Sequence, residues 1–249
     1  MKQEKIYFIS DLHLGVDAAQ TSIEREKKFV RWLDFVSKDA TEIYLLGDIF
    51  DMWFEYKRAI PRGFSRVLGK FIELSDLGIQ FHYFTGNHDM WVKNYFSEEM
   101  GMKIYRQPIV KTLADKKFLL GHGDGLGRGD YGYKLIKRIF AGKLNQWLFA
   151  RLHPNFAMGV ADFFSKKSRA ANGKYDADFT SIENEVLVHY CRQYLEKENI
   201  DYFIFGHRHL KLDVPIGEKS RYLNLGQWLS GNSYAVFNGK TLELLDFED

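Results

Sequence analysis

The sequence predicts an α/β protein in which two sheets pack face to face beneath an outer covering of helices. Three observations lead there. The first third alternates short β-branched and aromatic runs with amphipathic helical stretches, the order of a parallel sheet flanked by helices. A second series of strand-like runs begins near Met102 and resumes after residue 200. Helical periodicity then marks further stretches that fit outside the sheets.

Taken in order, Lys5–Ser10 and Ile43–Leu46 read as strands that stop at polar or Gly-Asp residues. Between them, Ile23–Ser37 sets Phe29, Trp32, Leu33 and Val36 at helical spacing. Phe64–Leu77 repeats that pattern with Val67, Leu68, Phe71, Ile72 and Leu74, and Gly78 follows as its stop. Ile79–Thr85 is the third strand. Lys103–Tyr105, Ile109–Leu113 and Lys117–Leu120 follow, with a turn at Ala114-Asp115-Lys116. Residues 131–170 read as helical, and Phe179–Glu198 as an amphipathic helix with Ile182, Val186, Leu187, Tyr190 and Leu195 on one side. The tail supplies Tyr202–Phe205, Lys211–Val214, Tyr222–Leu225, Tyr234–Phe237 and Leu242–Leu245. With no linker or repeat, residues 1–249 read as a single domain, and residues 131–175 as a helical insertion within it.

Composition narrows the class. At 249 residues, 45% hydrophobic and 27% charged, the chain is globular rather than disordered or fibrous. A single cysteine, Cys191, excludes an internal disulfide framework and a zinc-finger site. The opening Met1–Ile6 lacks an apolar export segment, and no run reaches the roughly 18 apolar residues of a membrane span, so a soluble, cytoplasmic protein is expected. The net charge of +2 is uneven. From Tyr131 to Lys174 there are nine Lys or Arg against Asp162, giving +8 there and −6 elsewhere. That basic, aromatic-rich stretch suits an anionic or amphipathic partner. Nucleic acid is not expected, because the aliphatic content exceeds what base-stacking platforms need. Nothing implies an obligate protein partner.

Five short motifs follow the strand-like runs: Asp11-Leu12-His13, Gly47-Asp48-Ile49-Phe50-Asp51, Gly86-Asn87-His88-Asp89, Gly121-His122-Gly123-Asp124 and Gly206-His207-Arg208-His209. They hold five of the eight histidines, so the motifs are read together rather than as separate turns. Strand ends of a parallel sheet converge on one edge, where loops aim several side chains at one point. Imidazole, carboxylate and amide oxygen without thiolate suit Mn²⁺, Fe²⁺ or Zn²⁺. A bridging carboxylate would hold two such ions about 3.5–4 Å apart for a phosphoryl displacement.

In this order the motifs resemble the signature of the calcineurin-like metallophosphoesterases. The resemblance implies a four-layer αββα sandwich. It places one metal on Asp11, His13, Asp48 and His209, and a second on Asp48, Asn87, His122 and His207. It further implies that Asn87 contacts the transferring phosphoryl group, that His88 stabilises that group or protonates the leaving oxygen, and that Asp89 orients His88. Asp51 is expected behind the ligands.

The Gly-Asp-Ile-Phe-Asp box followed by Trp53, and the long helical insertion after His122, resemble more narrowly the UDP-2,3-diacylglucosamine pyrophosphatases of lipid A biosynthesis. That likeness implies hydrolysis of the pyrophosphate bond to UMP and 2,3-diacylglucosamine 1-phosphate. The insertion would act as a lid whose helices hold two acyl chains. Its apolar set is Leu135, Ile136, Ile139, Phe140, Leu144, Trp147, Leu148, Phe149, Leu152, Phe156, Met158, Val160 and Phe163. Substrate contacts would fall on Asp130, Ser168, Asn172 and Lys174, with His207 and the Asn87-His88 pair. The partner is then an amphipathic nucleotide-sugar lipid, met at the inner face of the cytoplasmic membrane. His88 departs from the narrower pattern, in which Arg follows the Asn. The alternative is a metallophosphoesterase acting on a soluble nucleotide or phosphodiester.

Overall fold

The computed structural model describes residues 5–127, 131–177 and 181–248, without the side chains of 131–133, 136, 162 and 167–177. Two sheets carry the architecture. The first holds β1 (Lys5–Ile9), β2 (Ala40–Leu46), β3 (Gln80–Phe84) and β4 (Lys103–Tyr105) in parallel. β10 (Ser233–Phe237) and β11 (Leu242–Asp246) join antiparallel, giving the order β11-β10-β1-β2-β3-β4. The second has the order β5-β6-β7-β9-β8, from β5 (Ile109–Leu113), β6 (Lys116–Leu120), β7 (Tyr202–Phe205), β8 (Lys211–Ile216) and β9 (Ser220–Leu225). Here β6, β7 and β9 run parallel.

Burial sorts the layers. Phe8, Tyr44, Leu46 and Phe84 of the first sheet meet Phe118, Leu120, Ile204 and Leu223 of the second in one apolar cluster between the sheets. The far side of the first sheet is covered by α1 (Ser22–Val36), α2 (Ser65–Asp76) and α3 (Tyr95–Met100). The far side of the second packs against α7 (Val186–Leu195) through Leu187, Val188 and Cys191. This is the expected αββα order. Phe29, Trp32, Leu33 and Val36 of α1 are fully buried, each stabilising the fold by roughly 1.5–3 kcal/mol. α1 starts at a capping box in which Thr21 and Glu24 bond each other's backbone amides. At the β5–β6 turn, Ala114 and Asp115 both take positive φ, 43° and 67°, as a two-residue hairpin of this twist demands.

Two expectations change. The helix placed at Phe179–Glu198 begins at Val186, because the Glu185 carboxylate caps it by accepting from the Leu187 amide; only a single 3₁₀ turn, Ile182–Asn184, precedes it. Residues 178–180 lie outside the described residues. The short helix α3 was absent from the sequence reading, since six residues are too few for periodicity to register.

Between β6 and α7 run α4 (Tyr131–Ala141), α5 (Lys143–Phe149) and α6 (Pro154–Ala177). They dock on the body through an aromatic cluster: the Phe149 ring lies 4.7 Å from Phe54 and 4.6 Å from Trp91, and Trp91 Nε1 donates to the Phe140 carbonyl at 2.8 Å. The Lys137 ammonium meets the Asp124 carboxylate at 2.6 Å. Phe140 and Phe149 therefore pack against the body. Leu135, Ile139, Leu144, Trp147, Leu148, Leu152, Phe156 and Phe163 remain exposed. Among the described residues, no helix is long and apolar enough to cross a membrane.

Candidate metal centre

The loops that leave the carboxyl ends of β1, β2, β3, β6 and β7 carry all five motifs to one place. Asp11, His13 and His209 converge, with His209 Nε2 3.2 Å from His13 Nε2 and 3.4 Å from Asp11 Oδ1. Asn87 Oδ1 lies 3.2 Å from His122 Nε2 and 3.0 Å from His207 Nδ1. Asp48 Oδ2 stands between these groups, 3.2 Å from His122 Nε2 and 3.9 Å from His13 Nε2. The seven side chains expected as ligands thus form two adjoining sets that share Asp48.

Several features fit this cluster to a pair of divalent cations. Asp48 Oδ2 is buried without a hydrogen-bond partner, a costly state for a carboxylate oxygen unless a cation completes it. Asp11, His13, Asp48, His207 and His209 all take positive φ, between 47° and 69°. Left-handed backbone at five non-glycine residues is strain held where the loops must aim donors inward. His122 Nδ1 donates to the Leu46 carbonyl at 2.8 Å, which leaves Nε2 facing the cluster as a ligand atom. Gly86 and Gly206 leave room for the carboxylates. A Cβ at Gly86 would stand 2.2 Å from Asp48 Oδ1, and one at Gly206 would stand 2.3 Å from Asp11 Oδ2.

Electrostatics tell the same story. Burial opposes ionisation of Asp48, yet His122, His88 and His13 hold its carboxyl well below the ordinary range. Burial is likewise outweighed at Asp11, which His209 and His122 keep low. At His122 burial disfavours the charge, but Asp48 and Asp11 push the imidazole up to about 10. Burial and the neighbouring His122 pull His207 down to about 4. One protonated imidazole therefore neutralises part of the carboxylate charge, and a cation would displace that proton.

The remaining predicted residues divide. His88 joins the cluster, its ring centroid 4.8 Å from that of His13, and its buried Nε2 has no hydrogen-bond partner. Asp51 reaches forward, with Oδ1 3.3 Å from His13 Nδ1 and 3.6 Å from His88 Nδ1. Asp89 does not orient His88. Its carboxylate accepts from the Gly86 and Ile49 amides, at 2.7 and 2.9 Å, and from the Tyr83 hydroxyl, so it braces two ligand loops from behind. Burial and then the Asp48 charge push the Asp89 carboxyl up to about 6. Asp130 lies outside the described residues, as do the side chains of Ser168, Asn172 and Lys174 on α6.

Three supports escaped the sequence reading. Buried Arg25 donates to the carbonyls of Leu12 at 2.7 Å and His13 at 2.8 Å, fixing the first ligand loop. Its register on the apolar face of α1, four residues before Phe29, was the available signal. Arg208 is anchored at 2.9 Å to Glu185, the buried residue that caps α7. Ser165 of α6 donates to Asp51 Oδ2 at 2.6 Å, and no sequence pattern marks it.

The profile of the family described as calcineurin-like phosphoesterase matches residues 4–211. The chain is 39% identical to a UDP-2,3-diacylglucosamine hydrolase of Porphyromonas gingivalis, covering 99% of each chain. It is 25% identical to a UDP-2,3-diacylglucosamine hydrolase of Shewanella sp., covering 95% of this chain and 94% of that one. Among solved structures, the E. coli phosphoesterase Yfce aligns with a TM-score of 0.46 at 14% identity, covering 97% of this chain and 92% of that chain.

Proposed function

The chain belongs to the calcineurin-like phosphoesterase family, whose members are metal-dependent hydrolases, and from that premise we propose that it cleaves the pyrophosphate bond of UDP-2,3-diacylglucosamine. The products are UMP and 2,3-diacylglucosamine 1-phosphate. The observation that supports this substrate is the pairing of a two-metal ligand set with an exposed apolar surface beside it. Of the fifteen exposed large apolar side chains among the described residues, nine lie on or between α4, α5 and α6. α6 itself touches the cluster through Ser165. The same segment exposes Arg138, Lys143 and Lys166 on its helices and Arg151 in the turn between α5 and α6. Apolar and basic surface side by side suits a diacylated diphosphate, with the helices acting as a lid over residues 131–175.

Asp11, His13, Asp48 and His209 would hold one cation, and Asp48, Asn87, His122 and His207 the other, with Mn²⁺ the first candidate. Such a pair would supply Lewis acidity and an activated water at the phosphorus. Around it, the chain's own groups position the substrate. Asn87 and His88 face the phosphoryl oxygens, and His88, when it carries a proton on both ring nitrogens, gives the Nε2 proton to the departing phosphate oxygen and keeps the one on Nδ1. Asp130, Ser168, Asn172 and Lys174 contact the sugar nucleotide or the acylated sugar. The exposed helices rest on an anionic membrane surface from the cytoplasmic side, where their basic side chains are attracted.

Hydrolysis of UDP-2,3-diacylglucosamine in detergent with added Mn²⁺, beside bis(p-nitrophenyl) phosphate and with products separated by mass, tests this reading. UMP release that strongly favours the lipid is expected. Turnover of the diester alone would keep the metal centre and discard the lipid substrate. His122→Ala, which removes a ligand, is expected to lose at least about 100-fold in kcat.

A further inference from the structure

Ser165 of α6 bonds directly into the surroundings of His88, and its bonds are specific. It is 7% exposed, on the face of α6 turned toward the body. Its hydroxyl donates to Asp51 Oδ2 at 2.6 Å. Having given its proton there, Ser165 Oγ accepts from His88 Nδ1 at 2.9 Å. His88 Nδ1 also lies 3.1 Å from the main-chain carbonyl of Asp51, a group that only accepts. Both partners therefore demand a proton on Nδ1, and together they fix the ring so that Nε2 points into the metal centre. Asp51 Oδ1 meanwhile lies 3.3 Å from His13, so the bonded group spans a proposed metal ligand and a proposed proton donor. The contact joins residues 77 and 114 positions apart, and it exists only where α6 is seated on the body.

We infer that Ser165 is a positioning residue that makes catalysis depend on docking of α6: the insertion does more than offer a surface to the substrate, because it completes the hydrogen bonds that set the tautomer and aim of His88. This inference rests on the hydrolase reading and on His88 as the proton donor. It applies to any phosphoester the centre cleaves, so it is separable from the lipid assignment.

The test uses the full-length, metal-loaded protein and bis(p-nitrophenyl) phosphate. Ser165→Ala should lower kcat by about 10–100-fold, the usual scale for losing such an orienting partner, with KM held within about twofold. Ser165→Thr, which keeps the hydroxyl, should recover most of that loss. In a His88→Ala background, Ser165→Ala should have no further effect, whereas a merely structural role would lower activity again. Nitrogen spectra of the Zn²⁺-loaded protein labelled at histidine should show the His88 ring resonances shifting in Ser165→Ala while those of His189 stay in place. Wild-type kcat in Ser165→Ala, additive losses with His88→Ala, or unmoved His88 resonances would each overturn the inference. If the wild type cleaves neither diester nor lipid, the hydrolase reading falls, and the nitrogen spectra still decide whether Ser165 holds the ring.

Discussion

At single residues, the centre is built by what is missing as much as by what is present. Gly86 has no Cβ, and that absence lets Asp48 Oδ1 lie where a Cβ would stand 2.2 Å away. Gly86→Ala should therefore displace the carboxylate shared by both ligand sets and abolish tight Mn²⁺ binding, measured by calorimetry and metal analysis. Gly69 is the contrast. It sits in α2 with nothing within 4 Å of its would-be Cβ, so Gly69→Ala should raise stability by about 0.5–1 kcal/mol in denaturant melts without changing metal binding. The motif glycines were visible in the sequence beside their ligands. Asp89 and Asp51 were not assignable in the same way. Both are carboxylates in the same two boxes, and only their through-space neighbours show that Asp89 braces loops while Asp51 faces His13 and His88.

Elements carry the loops, and their termini tie the loops down. Glu185 caps α7 and holds Arg208, the residue between His207 and His209, with both groups buried. Arg208→Ala strands the Glu185 carboxylate in the interior, so unfolding free energy should drop by about 3–5 kcal/mol, measured by chemical denaturation, and metal affinity should weaken as the last ligand loop loosens. A second tie lies across β2, β3 and β5. Glu42 meets His82 at 2.7 Å and Lys111 at 2.8 Å. His82 first, with Lys111 and Tyr44 adding to it against the effect of burial, holds the Glu42 carboxyl well below its ordinary 4.5. A depressed carboxylate stabilises the fold in full above the unfolded value and loses that contribution as pH falls below it. Glu42→Gln should therefore lower Tm at pH 7, and the gap to wild type should narrow as the pH drops below about 4.5 in thermal melts.

Across the whole molecule, the insertion helices give the fold its asymmetry. The two sheets bury their apolar faces against each other and against α1, α2, α3 and α7, whereas α4 to α6 leave Trp147, Leu148 and Phe156 about half or more exposed. Large contiguous apolar surface is rarely left exposed unless something covers it. Trp147→Glu and Phe156→Glu should raise KM for UDP-2,3-diacylglucosamine by about tenfold and leave bis(p-nitrophenyl) phosphate hydrolysis unchanged. Steady-state kinetics on both substrates checks this, and equal effects would sink the acyl-holding role.

The sequence by itself determined the alternation of strands and helices in the opening, the helix faces and the five donor-bearing motifs past the strands, while the choice of seven donors among them came from the family resemblance. These are local properties: an apolar run sets a strand, and the residues that follow it lie at that strand's end. Only the tertiary structure decided which carboxylate braces and which faces the centre, where α7 begins, and that Arg25, Arg208 and Ser165 support the ligands. Those answers depend on residues distant along the chain, such as Ser165 and Asp51, 114 positions apart, or His207 and Asn87, 120 apart. No local pattern encodes such a pair; packing of one layer on another brings it together.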